Sequence, residues 1–233
     1  MPKPSWQIDE VTLAGPEHLD PAYISGYDRK AGFEPTPDLE LLEGLGLNGE
    51  STLVDLGAGT GTFALAAASR CRRVVAVDPS AAMASALKRT IAQSGITNLE
   101  VVPQGFLTYE HQGSLANFAF SRNALHHLPD FWKAIALRRI AAILRPGGVL
   151  RLHDIVFSFE SGREDAAIDA WIRSGAARAE DGWTPEELAT HVREEHSTFS
   201  WLLEPMLEHA GFTIDAVTHS ESQIYAAYVC RRL

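Results

Sequence analysis

Cysteine is nearly absent from this chain. Cys71 and Cys230 are the only two in 233 residues, too few for a disulfide framework and too distant in sequence for a zinc knuckle, so both read as small packing residues. Positive charge is also short: 20 Lys and Arg stand against 30 Asp and Glu, a formal net charge of −10. A sequence-independent grip on nucleic acid needs clustered Lys and Arg to neutralise phosphates. The basic runs at Arg70, Arg72 and Arg73 and at Arg138 and Arg139 are of the kind that solvated faces carry, so no nucleic-acid partner is expected. No stretch approaches the roughly 18 apolar residues of a membrane span, and the opening MPKPSWQIDEVTLAG has no signal-peptide core. A cytoplasmic chain with no membrane partner is expected. Repeats and low-complexity tracts are missing too. What remains, 45% hydrophobic and 21% charged residues, suits one globular domain of roughly 200 to 250 residues with local embellishments.

Residues 1–17 carry little periodicity. After them AYISGYDRKAGF reads as a helix, and TPDLELLEGLGL as another, with Thr36 as cap, Pro37 at the first helical position and Gly44 or Gly46 as terminator. Residues 1–49 thus form a helical preface. Beyond it apolar strand candidates alternate with helix-period segments: TLVDL (52–56), RVVAVD (73–78), LEVV (99–102), NFAFS (117–121) and VLRLHDI (149–155). In SAAMASALKRTIAQSG, Ser80 is placed to cap, Ala84, Leu87 and Ile91 share one face, and Gly95 ends the turn. Such alternation predicts a doubly wound α/β fold, a mostly parallel sheet with helices on both faces. The rhythm breaks over about 156–200, a charged stretch holding Trp171 and Trp183 and a Thr184-Pro-Glu-Glu187 capping box. It resumes with a helix around WLLEPMLEHAG, its start possible as late as Pro205, and two closing strands, FTIDAVTH and IYAAYVCRR. With no structureless linker present, 156–200 reads as a cap inserted into a domain spanning 50–233.

The stretch VDLGAGTGTFA (54–64) places glycines at 57, 59 and 61 directly after an apolar strand. In open α/β sheets ligands lie beyond the carboxyl ends of the strands, where the strand order reverses. Glycines there permit tight turning and close approach of a ligand to backbone. A phosphate-gripping loop needs GxxxxGK[ST], and no Lys follows Gly61; a dinucleotide loop needs GxGxxG, and the spacing here is GxGxG. An adenosine ligand without phosphates remains. Asp78 ends the next strand, where a carboxylate can accept from both ribose hydroxyls. Asp55 would repel a phosphate but hold an ammonium. That pair of acids suits S-adenosylmethionine better than NAD.

Asp55-Leu-Gly57-Ala-Gly59-Thr-Gly61 resembles the first motif of the class I S-adenosylmethionine-dependent methyltransferases, and Asp78-Pro-Ser their second. SRNALHHLPD (121–130) is similar to the segment after the fourth strand in the small-molecule branch that includes quinone-biosynthesis methyltransferases, and LRPGG (144–148) to the turn before the fifth. The resemblance covers about residues 20–155 and the last 35. It implies a seven-stranded sheet whose final strand is antiparallel and inserted beside the fifth, and S-adenosylmethionine as cofactor. Gly57, Ala58, Gly59 and Gly61 should border the methionine portion, Asp78 and Pro79 the ribose, Met83 one adenine face, and backbone near Asn123 the ammonium. Where many relatives place an acid after the third strand, Gln104-Gly105-Phe106 puts Phe106, leaving adenine to backbone N–H groups and stacking.

The implied reaction is methyl transfer to an O, N or C nucleophile of a small molecule. His126 and His127 follow the fourth strand and are the candidate general bases. The plainer reading makes them pocket walls. His153 and Asp154 alternate faces at the end of the fifth strand and read as a structural pair. HHLPD has no recognised ligand spacing, so no metal is expected from His126, His127, Asp130, His153 and Asp154. Of Tyr23, Tyr27, Lys30 and Phe33 on the preface, Tyr27 is the first candidate for a lid contact. Trp171, Trp183, Trp201 and His196 are candidates for an aromatic acceptor pocket, or for a mini-core of the cap. Two other readings stay open: an NAD-dependent oxidoreductase, and a methyltransferase-like protein that binds the cofactor without transferring methyl.

Overall fold

A computed structural model describes residues 4–15 and 21–233, without the side chains of residues 21–23 and 25. Tyr23 therefore lies outside the described side chains. The strands are β1 (Thr52–Leu56), β2 (Arg73–Val77), β3 (Leu99–Val102), β4 (Ala116–Arg122), β5 (Leu144–Phe157), β6 (Thr198–Phe199), β7 (Phe212–His219) and β8 (Tyr225–Arg232). The helices are α1 (Glu10–Leu13), α2 (Pro21–Ala31), α3 (Thr36–Gly44), α4 (Thr62–Ala68), α5 (Ala81–Ser94), α6 (Asp130–Ile143), α7 (Glu164–Arg173), α8 (Pro185–Glu194) and α9 (Ser200–His209). A single 3-10 turn covers Leu125–His127. Among the described residues no helix is long and apolar enough to cross a membrane.

The sheet order is β3-β2-β1-β4-β5-β8-β7, with β6 beside β5. All pairings are parallel except those of β8, which runs antiparallel between β5 and β7. The expected seven strands are present in the expected arrangement. The two-residue β6 is an addition that no sequence pattern announces.

Alternation along the strands builds two cores. Leu53, Val74, Ala76, Phe118 and Val149 pack on one face with Leu39 and Leu42 of α3, Phe63 and Ala67 of α4 and Leu87 of α5. Val54, Val75, Val77, Ala119 and Leu150 face the other way, onto Leu137 and Ile140 of α6 and Leu203 and Leu207 of α9. Successive side chains of a strand point to opposite faces. All five residues of β1 are buried, so a near-continuous apolar run suits a central strand covered on both faces.

Local boundaries differ in small ways. Thr36 is the first helical residue of α3 rather than its cap; Pro35 holds that position, and the Thr36 hydroxyl donates to Glu34 Oε1 at 2.6 Å. β5 absorbs LRPGG and extends to Phe157. α9 starts at Ser200 and carries Pro205 inside it. Ser80 caps α5 by accepting from Met83 N–H, and Thr184 and Glu187 form the foreseen capping box of α8. α7 and α8 share a small core of Trp171 and Leu188 with Ile155, Phe157, Phe159 and Ile224. That core seats the cap beyond the carboxyl end of β5.

Candidate active site

Strand order reverses between β1 and β4, and the bare loop lies there. Gly57, Gly59 and Gly61 all have positive φ, +75°, +56° and +88°. Their reasons for being glycine differ. A Cβ at Gly57 would lie 2.2 Å from Ala124 Cβ, and one at Gly61 2.3 Å from Leu87 Cδ1, whereas at Gly59 nothing lies nearer than Tyr27 Cε1 at 4.0 Å. Gly59 is therefore the glycine open to a ligand. Gly61 is turned onto α5, serves packing, and leads into α4.

Asp78 follows β2 and holds the loop. Its Oδ2 accepts Gly59 N–H and its Oδ1 accepts Ser80 N–H, both at 2.8 Å. Burial raises its pKa. Asp55 is fully enclosed, and its Oδ2 is a buried atom with no hydrogen-bond partner. Burial, helped by the charge of Asp78 and opposed by Ala64 N–H, lifts its carboxyl to about 8. Such an acid is matched by an arriving cation, which would restore its ordinary ionisation.

Two connected clefts flank this loop. One is lined by Gly57, Gly59, Asp78, Pro79, Met83, Phe106 and Asn123, with Tyr27 above. The other is lined by Asp55, Gly57, Ala58, Gly59, Thr60 and Phe63 and shares Tyr27, Arg122 and Asn123 with the first. Of the predicted cofactor residues only Gly61 and Gly105 do not line these walls. A Cβ at Gly105 would meet Glu10 Oε1 at 2.4 Å. Glu10 on α1 is a wall residue that sequence reading missed: its carboxylate accepts Leu107 N–H at 3.0 Å. Arg122 is another, its guanidinium 4.5 Å over the Phe33 ring and 3.8 Å from Asp38 Oδ2. Asn123 takes a left-handed φ of +48° and donates its N–H to His153 O at 2.9 Å. A non-glycine residue so placed marks a constrained site.

Beyond Asn123 opens a cavity of ≈ 290 Å³ under the cap, lined by Tyr27, Asn123, His126, His127, Trp171, Trp183, His191, Glu195 and Tyr225 among others. Trp183 stands edge-on to Tyr27 at 6.5 Å, and Lys30, which pairs with Glu187 of α8, lies 4.5 Å over the Trp183 ring. The preface and the cap thus meet over the site. Trp171 serves both expected roles, as cavity wall and as part of the cap core. Trp201 and His196 do not line the cavity. Trp201 is largely exposed and stacks on Phe199, while His196 uses its backbone, donating N–H to His126 O and accepting from Lys133.

The two histidines differ sharply. His126 is buried, with Nδ1 on Asp154 and Nε2 2.9 Å from Glu195 Oε2. Burial would lower its pKa, but the Asp154 carboxylate, with Glu195, outweighs this and lifts it to about 9. Glu195 is opposed by burial yet held far below the usual carboxylate range by His126 and His191. Both ring nitrogens of His126 are thus engaged, which leaves none for an acceptor proton. His127 is half-buried and lines both the cleft beside Gly57 and Asp78 and the cavity under the cap. His153 and Asp154 do alternate faces but do not pair with each other as expected. Asp154 turns to His126, and His153 stacks on Tyr225 at 6.0 Å, with burial and Arg122 lowering its pKa to about 4.

Comparison with known proteins agrees with this geometry. The family described as "Methyltransferase domain" matches residues 53–148, from β1 into β5. An uncharacterised methyltransferase of Bacillus velezensis is 26% identical over 204 residues, covering 87% of this chain and 84% of its own length. Among solved structures, magnesium protoporphyrin IX methyltransferase of Synechocystis with bound S-adenosylmethionine is 12% identical with a TM-score of 0.64, covering 99% of this chain and all of the other. A Haemonchus contortus phosphoethanolamine N-methyltransferase, solved with phosphomonomethylethanolamine and S-adenosylhomocysteine, gives 15% identity and a TM-score of 0.70 over 97% of this chain and 60% of its own. At such identities the structures speak for the fold, while the sequence matches speak for methyl transfer rather than hydride transfer.

Proposed function

We propose a small-molecule acceptor for this chain, which belongs to the class I S-adenosylmethionine-dependent methyltransferases and takes S-adenosylmethionine as its cofactor. The methyl group passes to an O, N or C nucleophile bound in the cavity under the cap. One observation carries this reading: Tyr27, Asn123 and His127 line both the cofactor cleft and that cavity. A molecule in the cavity and a cofactor in the cleft would meet across these three residues.

The residues suit the cofactor. Asp78 retains lone pairs for the ribose hydroxyls beyond those accepting Gly59 and Ser80 N–H. Met83 and Phe106 supply apolar walls for adenine, Asp55 and the Asn123 backbone face the methionine end, and open Gly59 admits the ligand close to the loop. When bound, S-adenosylmethionine supplies a sulfonium-activated methyl group, so the protein's task is alignment at about 3 to 3.5 Å and exclusion of water. The preface (1–49) and the cap (about 156–200) supply both, clasped by Lys30–Glu187. His127 is the histidine facing the reacting atoms, and His126, fixed between Asp154 and Glu195, positions the cavity wall.

The acceptor is selected by Trp171, Trp183, Tyr225 and the carboxylates of Glu186 and Glu195. Aromatic faces and acids suit a flat or amine-bearing molecule. The HHLPD and LRPGG segments favour the branch that resembles quinone-biosynthesis methyltransferases. The named acceptors of two fold neighbours, phosphomonomethylethanolamine and magnesium protoporphyrin IX, are small molecules as well. To test the site, Thr190 on the cavity wall is replaced by Trp and labelled methyl transfer to a panel of small nucleophiles is followed. Turnover should vanish with cofactor affinity changed less than about threefold. Undiminished turnover would place the acceptor elsewhere.

A further inference from the structure

Three imidazoles approach one carboxylate oxygen on the cavity wall. His126 Nε2, His191 Nδ1 and His127 Nδ1 lie 2.9, 3.1 and 3.3 Å from a single atom, Glu195 Oε2. The ligand atoms of His126, His127 and Glu195 all lie within 4.8 Å of one another. We propose that His126, His127 and Glu195 bind one divalent first-row transition ion, zinc by preference, leaving the fourth tetrahedral position open toward the acceptor cavity.

The distances suit an ion. Tetrahedral zinc with bonds of about 2.0 to 2.2 Å sets its donors roughly 3.3 to 3.5 Å apart, so the nitrogen-to-oxygen separations of 2.9 and 3.3 Å need only a few tenths of an ångström, and the two imidazole nitrogens, within 4.8 Å of one another, close by side-chain adjustment. Hydrogen bonding alone explains them poorly. One carboxylate oxygen offers about two lone-pair sites, and three ring nitrogens crowd it.

The surroundings fix the ligands as a metal site requires. Asp154 takes His126 Nδ1 and is itself held by the N–H groups of His126 and Ile155 at 3.1 and 2.8 Å. Ser197 Oγ meets His191 Nε2 at 2.7 Å. These contacts leave Nε2 of His126 to face the ion, the outer-shell pattern that orients ligating imidazoles, and hold His191 beside Glu195. Charge closes as well. Two positive charges on neutral imidazoles balance the carboxylates of Glu195 and Asp154. A donor set of two imidazoles and one carboxylate selects zinc or a neighbouring transition ion over magnesium or calcium, which take oxygen ligands.

His126, His127 and Glu195 all line the acceptor cavity. The ion's role, though not the site, rests on the acceptor reading above. An acceptor O–H, N–H or S–H bound at the open position loses its proton more readily. Its lone pair then forms the new bond to the methyl carbon as the sulfur–carbon bond breaks, leaving methylated acceptor, S-adenosylhomocysteine and one proton.

The test uses the full chain, stripped by a chelator and titrated with zinc against a chromophoric competitor, with a cobalt spectrum for geometry. One ion per chain and a tetrahedral cobalt spectrum are expected. His126→Ala and the isosteric Glu195→Gln should each weaken zinc by about 100-fold or more, and Asp154→Asn by about 10- to 100-fold, the usual cost of losing an outer-shell partner. Cooperative melting and unchanged S-adenosylhomocysteine affinity certify each variant. Less than about a tenth of an equivalent bound by wild type, or equal binding by wild type and Glu195→Gln, would overturn the site while leaving the acceptor reading standing. A zinc-loaded protein that transfers methyl to no small nucleophile would do the reverse.

Discussion

Replacing Asp78 by Ala tests the cofactor site at its most informative residue. The carboxylate is half-buried and anchors Gly59 and Ser80, so much of its desolvation cost is met at folding rather than at binding. The ribose hydroxyls then add charge-assisted hydrogen bonds of about 1.5 to 3 kcal/mol each. Allowing for water replaced at one of them, the net loss is about 1.5 to 3.5 kcal/mol, a ten- to several-hundred-fold rise in Kd. Asp78→Asn keeps the shape and one acceptor oxygen for the loop, so it separates lost ribose contacts from a slackened loop. Calorimetric titration of both variants with S-adenosylhomocysteine reads the effect. A change under about threefold in Asp78→Ala, with the variant still folded, would refute the assignment.

Two further outcomes follow from the same cleft. Asp55 titrates near 8 in the folded protein against 3.8 when free, so the unfolded chain holds fewer protons between these values. Stability from this group is full below about pH 4 and is lost as pH rises to about 8, with a slope of up to about 1.4 kcal/mol per pH unit. Denaturant unfolding across that range should show a shallower slope for Asp55→Asn, and equal slopes would rule the titration out. The glycines should separate: Gly61→Ala, forced onto Leu87 at φ +88°, should cost about 1 to 3 kcal/mol of stability with little change in cofactor affinity. Gly59→Ala, whose Cβ would meet nothing nearer than Tyr27 Cε1 at 4.0 Å and is strained only by its φ of +56°, should weaken cofactor binding by about tenfold or more with less effect on melting. The opposite pattern would exchange their roles.

Much of this site was legible because its residues are consecutive. The alternation of apolar strands with capped helices carries the sheet, and residues 54–64 carry the loop, since a short strand-to-helix turn leaves little freedom. Asp78 was readable for the same reason. The acceptor side was not. Glu195 and His191 reach His126 from the cap, across more than sixty residues, and no local pattern marks that encounter. Glu10 reaches Leu107 from the opposite end of the chain. The expected His153–Asp154 duo failed because alternation sends its members to different faces, where His126 and Tyr225 are nearer partners. No metal was expected from His126, His127, Asp130, His153 and Asp154, because HHLPD lacks a ligand spacing; that stretch holds only two of the three proposed ligands, and Glu195 arrives from the cap.

The central claim is that the bare loop and its two acids receive S-adenosylmethionine. Calorimetric titration of the wild-type chain with S-adenosylmethionine, S-adenosylhomocysteine and NADH tests it most directly. Saturation by the first two at one ligand per chain, with no heat from NADH, is the predicted result. Saturation by NADH and none by S-adenosylmethionine would contradict it.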